Sequence, residues 1–570
     1  MSWVIVLLVR LLGLGPPSAA ATCDPEAGAD YLMLAPPEAH ATLAPLVHAH
    51  TRRGLRVAVC PSESSVDGIA AQIARFAPPT PKGTAAAPPP DSPASDRPAL
   101  RFVLLVGDDW SASPATVTPS EGVPEPKPTV SEAPVGEVRT SEAFRLPAMR
   151  RPKVAYDGLP DSEDYPTDLP YAPPGVAIGR FPVRDLETLE GLVKKTVAYL
   201  DGPGGGWQRR LALFGGPANF SPFVDSLIES EVQRLLGESV PYLYDLRFVF
   251  AKPDSPYTWR PDGLSEKIAE ELAPGALFAA YFGHGLPRAL DLIWFRDQPY
   301  NIGDTESLAR VRIPQGKPVT FLLACHTGAF DDPVGDPSLA ETLFLNPEGP
   351  IAVIASSRTS HPYGNAVMAR ALTDVFLEHR APTVGQGLRL VHKRLGFHRM
   401  GLVEVLVRPS IRELLDEHAH LYALFGDPAL PIRYPTPVAV SVRAADADPG
   451  AGSIKQARPG EPLTVTVADG EALVTLETDR RVVRPPLLPL DSADLAEVFD
   501  AMTKNHARAI DKVVAELGGG ADRTFEAPSA PGRYVVKVLH PGSNAGAGFT
   551  TFEVVAPSTS TTTTTTATAR

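Results

Sequence analysis

The chain has 570 residues, is 44% hydrophobic and 21% charged, and carries a formal net charge of −13. That length holds roughly three or four domains with cores of their own, and the acidic balance excludes nucleic acid as a general partner, because phosphate binding needs a basic surface. Proline, at 62 residues, stands at about twice its usual share, so long irregular connections are expected.

The chain opens on MSWVIVLLVRLLGLGPPSAAATC. An apolar stretch from Trp3 to Leu14, followed by Ala19, Ala20 and Ala21, reads as a secretory signal over residues 1–21, although Arg10 interrupts the run. No later apolar run reaches the ~20 residues of a membrane span. A secreted or cell-surface chain with no transmembrane span after processing is therefore expected. Its three cysteines, Cys23, Cys60 and Cys325, are too few for a disulfide scaffold. Cys23 and Cys60 are able to pair, which would leave Cys325 as an odd thiol. A lipid on Cys23 is the weaker alternative, because Thr22 is a poor residue before a lipoprotein cleavage point.

Residues 22–200 read as an α/β subdomain. DYLMLAP and LRVAVC are short buried strands on either side of a helix from Ala41 to Arg53. A proline-rich linker occupies 78–98, and LRFVLLVGDD is the next strand. Residues 111–175, rich in Pro, Ser and Glu, read as a surface excursion rather than core. GVAIGRFPV and RDLETLEGLVKKTVAYL then give a strand and an amphipathic helix ending near Leu200.

After the glycine break DGPGGGW comes a second block, 205–434. Its apolar runs LALFG, ALFAAYFGHG, VTFLLACHTG and IAVIASS are separated mostly by helical patterns, which implies a parallel sheet covered on both faces. From Pro435 the texture changes. VAVSVRA, PLTVTVADG, ALVTLETD, RYVVKVLH and TTFEVVA alternate with a period of two, the pattern of an antiparallel β-sandwich over 435–556. A helical insertion over 492–517 interrupts it, and the Thr-rich tail 557–570 reads as a disordered tether.

Two of the central runs end in reactive residues flanked by glycine: Gly283-His284-Gly285, and Cys325-His326-Thr327-Gly328. Ligands in open parallel sheets sit outside the carboxyl ends of the strands. If these two strands are neighbours, an imidazole and a thiol face one cleft. The chemistry needs that pairing: only the thiolate attacks well, and a histidine can take its proton and return it to a leaving amine. Gly285, lacking a Cβ, lets its N–H approach a substrate carbonyl. With the N–H of Cys325 it would form an oxyanion hole. His326 is not expected to reach the sulfur, because neighbours on an extended chain point to opposite faces. Metal binding by His284, Cys325, His326 and His361 matches no familiar zinc spacing, so no metal is assigned. The acidic stretch GAFDDPVGDPS (328–338) reads as a solvated loop before a helix starting near Pro337.

YFGHG, then FLLACHTGAFDD, IAVIASS and LYALFGDPALPIR, preceded by DYLMLAP, RGLRVAV, FVLLVGD and VAIGRFPV in that order, resemble the gingipain family of cysteine peptidases, which have the caspase fold. The likeness runs over about residues 30–435. The resemblance implies two caspase-like (flavodoxin-type) α/β subdomains with mostly parallel sheets, followed by an immunoglobulin-like β-sandwich. It implies an endopeptidase with His284 as catalytic histidine, Cys325 as nucleophile, and the backbone of Gly285 and Cys325 as oxyanion donors. Gingipains that cut after arginine hold that side chain with an aspartate at the start of the helix following the first catalytic strand, and Asp225 falls there. Ser356, Ser357 and His361 are further substrate-binding candidates. No cofactor is required, though the resemblance leaves room for structural calcium. The chain departs from the family in three ways. The acidic position near the catalytic histidine appears as Phe214, the first strand follows closely on the predicted cleavage site with no room for a propeptide, and no recognisable sorting domain follows the sandwich.

The expected function is an exported cysteine endopeptidase acting as a monomer on protein or peptide substrates, with a preference for basic residues if Asp225 lines the pocket. One alternative is a sortase-like transpeptidase of the same fold. The other is a non-catalytic cell-surface binding protein.

Overall fold

The computed structural model describes residues 23–77, 99–109, 141–153, 164–217, 239–332, 336–397, 411–448, 452–467, 472–483, 486–518, 522–540 and 546–556. The signal segment, the linker 78–98, Asp225 and the Thr-rich tail lie outside them.

In the first half the strands are β1 (Tyr31–Ala35), β2 (Val57–Pro61), β3 (Phe102–Val106), the hairpin β4 (Met149–Pro152) and β5 (Asp164–Thr167), and β6 (Ala177–Phe181). The second half adds β7 (Arg210–Gly215), β8 (Asp245–Phe250), β9 (Phe278–Phe282), the hairpin β10 (Leu292–Phe295) and β11 (Gln298–Asn301), β12 (Val319–Leu323), β13 (Ala352–Ser356) and β14 (Tyr422–Phe425). The central strands YLMLA, FVLLV, VTFLL and AVIAS are buried at every position, as strands covered on both faces must be. The covering helices begin at polar caps that satisfy their first free N–H groups. Ser65 accepts from Gly68, Asp185 from Thr188, and Ser338 from Glu341.

Ten of these strands form one sheet in the order β2-β1-β3-β6-β14-β13-β12-β9-β7-β8. Each neighbouring pair is parallel except β13–β14. The two expected windings are thus halves of a continuous sheet, joined where Phe425 of β14 pairs with Arg180 of β6. Joining them removes two exposed strand edges. Backbones come close at this seam: a Cβ on Gly179 would stand 2.4 Å from the carbonyl oxygen of Gly426. The Arg180 guanidinium is fully buried there, bonded to Asp168 and to the carbonyls of Gly107 and Leu146.

The expectation of a surface excursion over 111–175 is corrected for its described part. Phe144, Leu146, Ala148, Tyr165 and Tyr171 are all buried. Proline and charge dominate the composition, but these spaced apolar side chains anchor the segment to the sheet.

The C-terminal block has a six-stranded and a three-stranded sheet. Their strands are β15 (Thr436–Pro437), β16 (Val440–Ala444), β17 (Gln456–Ala457), β18 (Pro462–Val467), β19 (Leu473–Thr478), β20 (Val513–Leu517), β21 (Asp522–Glu526), β22 (Gly532–Leu539) and β23 (Gly546–Val554). One core, including Val442, Leu463, Val465, Val474, Val536, Val538 and Phe552, lies between them. The helical insertion spans Leu495–Ile510, shorter than the expected 492–517. Val513–Leu517 instead pairs with β19 as an edge strand, where β-branched Val513 and Val514 favour extension. Among the described residues no helix is long and apolar enough to cross a membrane.

Candidate active site

Strands β9 and β12 are parallel neighbours, with Phe282 opposite Leu323. Each chain leaves the sheet at the same level, and His284 and Cys325 each follow two residues later. The two exit loops touch. A Cβ on Gly285 would stand 2.7 Å from the carbonyl oxygen of Cys325 and 2.8 Å from Cβ of Ala324, so only glycine lets the histidine loop lie against the cysteine loop.

Cys325 is the free cysteine among the described residues and is half-buried. Its thiol donates to the Ser360 carbonyl at 3.4 Å, and its sulfur accepts from the Ser360 N–H at 3.3 Å. Behind Ser360 stands a polar network. Asn365 donates to the Ser360 hydroxyl at 2.9 Å, and the Tyr422 hydroxyl donates to Asn365 at 2.6 Å. Burial pushes the Cys325 thiol up, and the Ser360 contacts and the charge of Lys153 offset that rise only in part. Lys153, at the end of β4, is paired with Glu417 at 3.3 Å in a buried setting.

The His284 loop is a tight hairpin. Leu286 N–H donates to Ala289 O at 2.8 Å, and Gly285 bridges Leu290 in antiparallel fashion. The next opposed positions are His284 and Asp291, and opposed residues on an antiparallel pair share a face with Cβ atoms about 4.5–5.5 Å apart. The Tyr281 hydroxyl donates to the His284 carbonyl at 3.1 Å, fixing the backbone at this point. Asp291 is held up by burial, and the His284 imidazole works against that shift. The sequence alone did not single out Asp291. The signal that could have found it is the GLPRAL stretch, a turn that returns the chain beside its own histidine. Phe214, where an acid was expected, is a buried core residue of β7 paired with Tyr281.

The chain at His326 is not extended, contrary to the expectation from the sequence. The residue adopts a left-handed backbone with φ 57°, and its Nε2 lies 2.9 Å from the Thr359 hydroxyl. Burial pushes its ring down to about 4. Ser356 and Ser357 are fully buried, and their hydroxyls donate to the carbonyls of Arg358 and Pro166. As side chains they offer a substrate no surface, which corrects their place among the substrate-binding candidates. His361 caps the helix Pro362–Leu372, its Nδ1 accepting from Tyr363 N–H at 3.1 Å, and remains half-buried near the site. Asp225 lies outside the described residues. The stretch 328–338 is not wholly solvated either: Asp331 is buried against Arg358 and Arg150, which hold its carboxyl low despite burial.

Among the described residues one trio, Asp374, Glu378 and His379, gathers possible metal ligands. It does not fit calcium. His379 offers nitrogen to an ion that takes oxygen, and Asp374 is already paired with Arg394 and His379.

The sequence profile of peptidase family C25 matches residues 24–433, most of the chain. The chain belongs to peptidase family C25. It is a cysteine-type peptidase of the gingipain family, with the family's mostly parallel α/β sheet. Among solved structures, this C25 chain is similar to the Arg-specific cysteine proteinase gingipain R at 15% identity and a TM-score of 0.46, covering 94% of this chain and 100% of that one. The complex of Porphyromonas gingivalis RgpB pro- and mature domains gives 15% identity, a TM-score of 0.45, and 92% and 100% coverage. Dimeric latent PorU from Porphyromonas gingivalis gives 12%, 0.28, and 94% and 44%. With TM-scores this low, the family profile carries the assignment. No curated protein matches the chain.

Proposed function

We propose that this C25 peptidase is an exported endopeptidase working through a His284–Cys325 dyad. The Cys325 thiolate attacks the scissile carbonyl carbon, and the backbone N–H groups of Gly285 and Cys325 receive the developing oxyanion. The C–N bond breaks as His284 gives the former thiol proton to the leaving amine. Water, deprotonated by His284, then attacks the thioester, releasing the carboxylate and restoring the thiol.

The observation that carries this reading is the contact between the two strand-exit loops, where Gly285 lies against the Cys325 carbonyl at the ends of in-register strands. Gly285–Leu290 is also the pair between hydrogen-bonded pairs of its hairpin, which turns the Gly285 N–H outward from the ladder. Each oxyanion donor of this kind is worth about 10²–10³ in kcat.

Export is supported by the apolar N-terminus and by the Cys23–Cys60 disulfide, which suits an oxidising compartment. We read the two-sheet C-terminal block as immunoglobulin-like, the protein as a monomer, and its substrates as proteins or peptides cut after basic residues, with Asp225 holding the basic side chain. The test is peptide hydrolysis and labelling by a thiol-reactive peptide electrophile. Cys325→Ala should lose both and His284→Ala should lose hydrolysis. Wild-type hydrolysis by Cys325→Ala would sink the dyad. A peptide library showing no basic preference would remove only the specificity.

A further inference from the structure

A histidine that shuttles protons has to hold one tautomer and one ring orientation, and the residue that does this is set by what faces its second nitrogen. The expected acidic position is occupied by Phe214, which is buried and apolar. The hairpin that follows His284 supplies a carboxylate from elsewhere. Gly285 bridges Leu290, so Asp291 stands opposite His284 on the same face of the hairpin. Asp291 Oδ1 accepts from the Leu292 N–H at 2.7 Å, which leaves the carboxylate aimed by its own backbone.

We propose that Asp291 is the positioning residue for His284, its carboxylate accepting a hydrogen bond from the imidazole N–H turned away from Cys325, so that the other nitrogen is presented to the thiol. This rests on the dyad reading given above. The support under Asp291 is rigid. Ile302 N–H donates to the Asp291 carbonyl at 3.2 Å, Leu290 N–H to Gly303 at 2.7 Å, and Ala289 bridges Asp304. Asp304 in turn caps the short helix Thr305–Leu308. The charges of Asp291 and His284 act on each other, and Asp291 also acts on the buried Tyr281 hydroxyl, whose ionisation burial already opposes. The Cys325 thiol, two residues past the end of β12, is held by Ser360 and influenced by the charge of Lys153.

The experiment compares Asp291→Asn and Asp291→Glu with the parent chain in steady-state peptide hydrolysis across pH, with thermal unfolding alongside. Asparagine keeps the shape and removes the charge. It should lower kcat by about 10²-fold or more, the scale of an acid–base contribution, with KM changed less than threefold. The limb of the pH–rate profile governed by His284 should move to lower pH, because an imidazolium without its carboxylate loses its proton more readily. Glutamate keeps the charge and should recover part of kcat and return the limb towards its parent position. A turn-capping role alone would lower stability without moving that limb. An Asn variant with kcat within threefold of the parent, or with an unmoved limb, overturns the proposal. So does a Glu variant as impaired as Asn. If Cys325→Ala stays active, the dyad fails. If Cys325→Ala is dead while Asp291→Asn is normal, only the positioning role fails.

Discussion

Phe499, on the helix inserted in the C-terminal block, packs edge-on against Tyr300 of β11, with ring centroids 6.1 Å apart and planes 82° apart. Phe295 of β10 lies 6.0 Å from the same ring, and the Arg260 guanidinium sits over it at 5.7 Å. The β10–β11 hairpin continues directly from the loop carrying His284 and Asp291. The C-terminal block therefore holds the outer end of the segment whose inner end carries the imidazole. Phe499→Ala should cost about 3 kcal/mol of stability, the usual loss for a buried aromatic, and should lower kcat more than it raises KM. Denaturant unfolding and steady-state kinetics on the same preparation check both. Lost stability with unchanged kcat would mean the helix only packs and does not brace the site.

The glycine after the histidine allows a narrower test. An Ala at 285 brings its Cβ to 2.7 Å from the Cys325 carbonyl and from Cγ2 of Thr327, closer than real contacts allow. Backbone has to move, and it moves between the proposed nucleophile Cys325 and the proposed base His284. Gly285→Ala should lower kcat/KM by about 10²-fold, the effect of roughly 1 Å of misplacement, while the protein still unfolds cooperatively. Kinetics within threefold of the parent would show that the two loops do not need their close approach.

How much of this was readable beforehand divides along physical lines. Strands such as FVLLV and VTFLL were legible because burial on both faces leaves an unbroken apolar run. His284 and Cys325 stood out as candidates because each follows such a run at its carboxyl end. Asp291 did not, because its place beside His284 depends on how a turn returns the chain, and a lone aspartate in ALDLI carries no periodic signal. The burial of Tyr165 and Tyr171 was hidden inside a composition rich in Pro and Glu. The seam at Arg180 and Phe425 was hidden for another reason: pairing between strands so far apart in sequence leaves no local trace.

Acid should weaken the fold in a defined window. His418 is fully buried, its Nδ1 lying 2.9 Å from the Leu414 carbonyl and its Nε2 accepting from the His361 N–H at 3.1 Å. That arrangement suits the neutral ring, and burial pushes its pKa from 6.5 down to about 4. His326 is likewise pushed down by burial to about 4. A base whose folded pKa lies below its unfolded value contributes full stability above the unfolded pKa and loses it as pH falls. Each ring should therefore cost up to about 3 kcal/mol between pH 6.5 and 4. Unfolding free energies measured through that window should slope with about one proton per ring. His418→Asn should be less stable at pH 7 but show a shallower slope. A flat profile from 6.5 to 4 would refute the assignment.

The two kinds of cysteine in this chain make opposite redox demands. Cys23 and Cys60 are joined, 37 residues apart, and Cys60 is the penultimate residue of β2, the terminal strand of the ten-stranded sheet. An edge strand has one neighbour only, so the covalent tie holds the N-terminal segment to the part of the sheet most able to fray. Closing a loop of that length should contribute about 4 kcal/mol through the unfolded chain. Cys325 must stay reduced to act as a nucleophile. The double variant Cys23→Ala, Cys60→Ala should therefore unfold at lower denaturant while keeping the parent kcat under mild reductant at 25 °C, since neither residue lies near the β9 and β12 strand ends. Equal unfolding midpoints for the variant and the oxidised parent would show that the bridge adds nothing. A fall in kcat with the fold intact would mean that the edge of the sheet communicates with its centre.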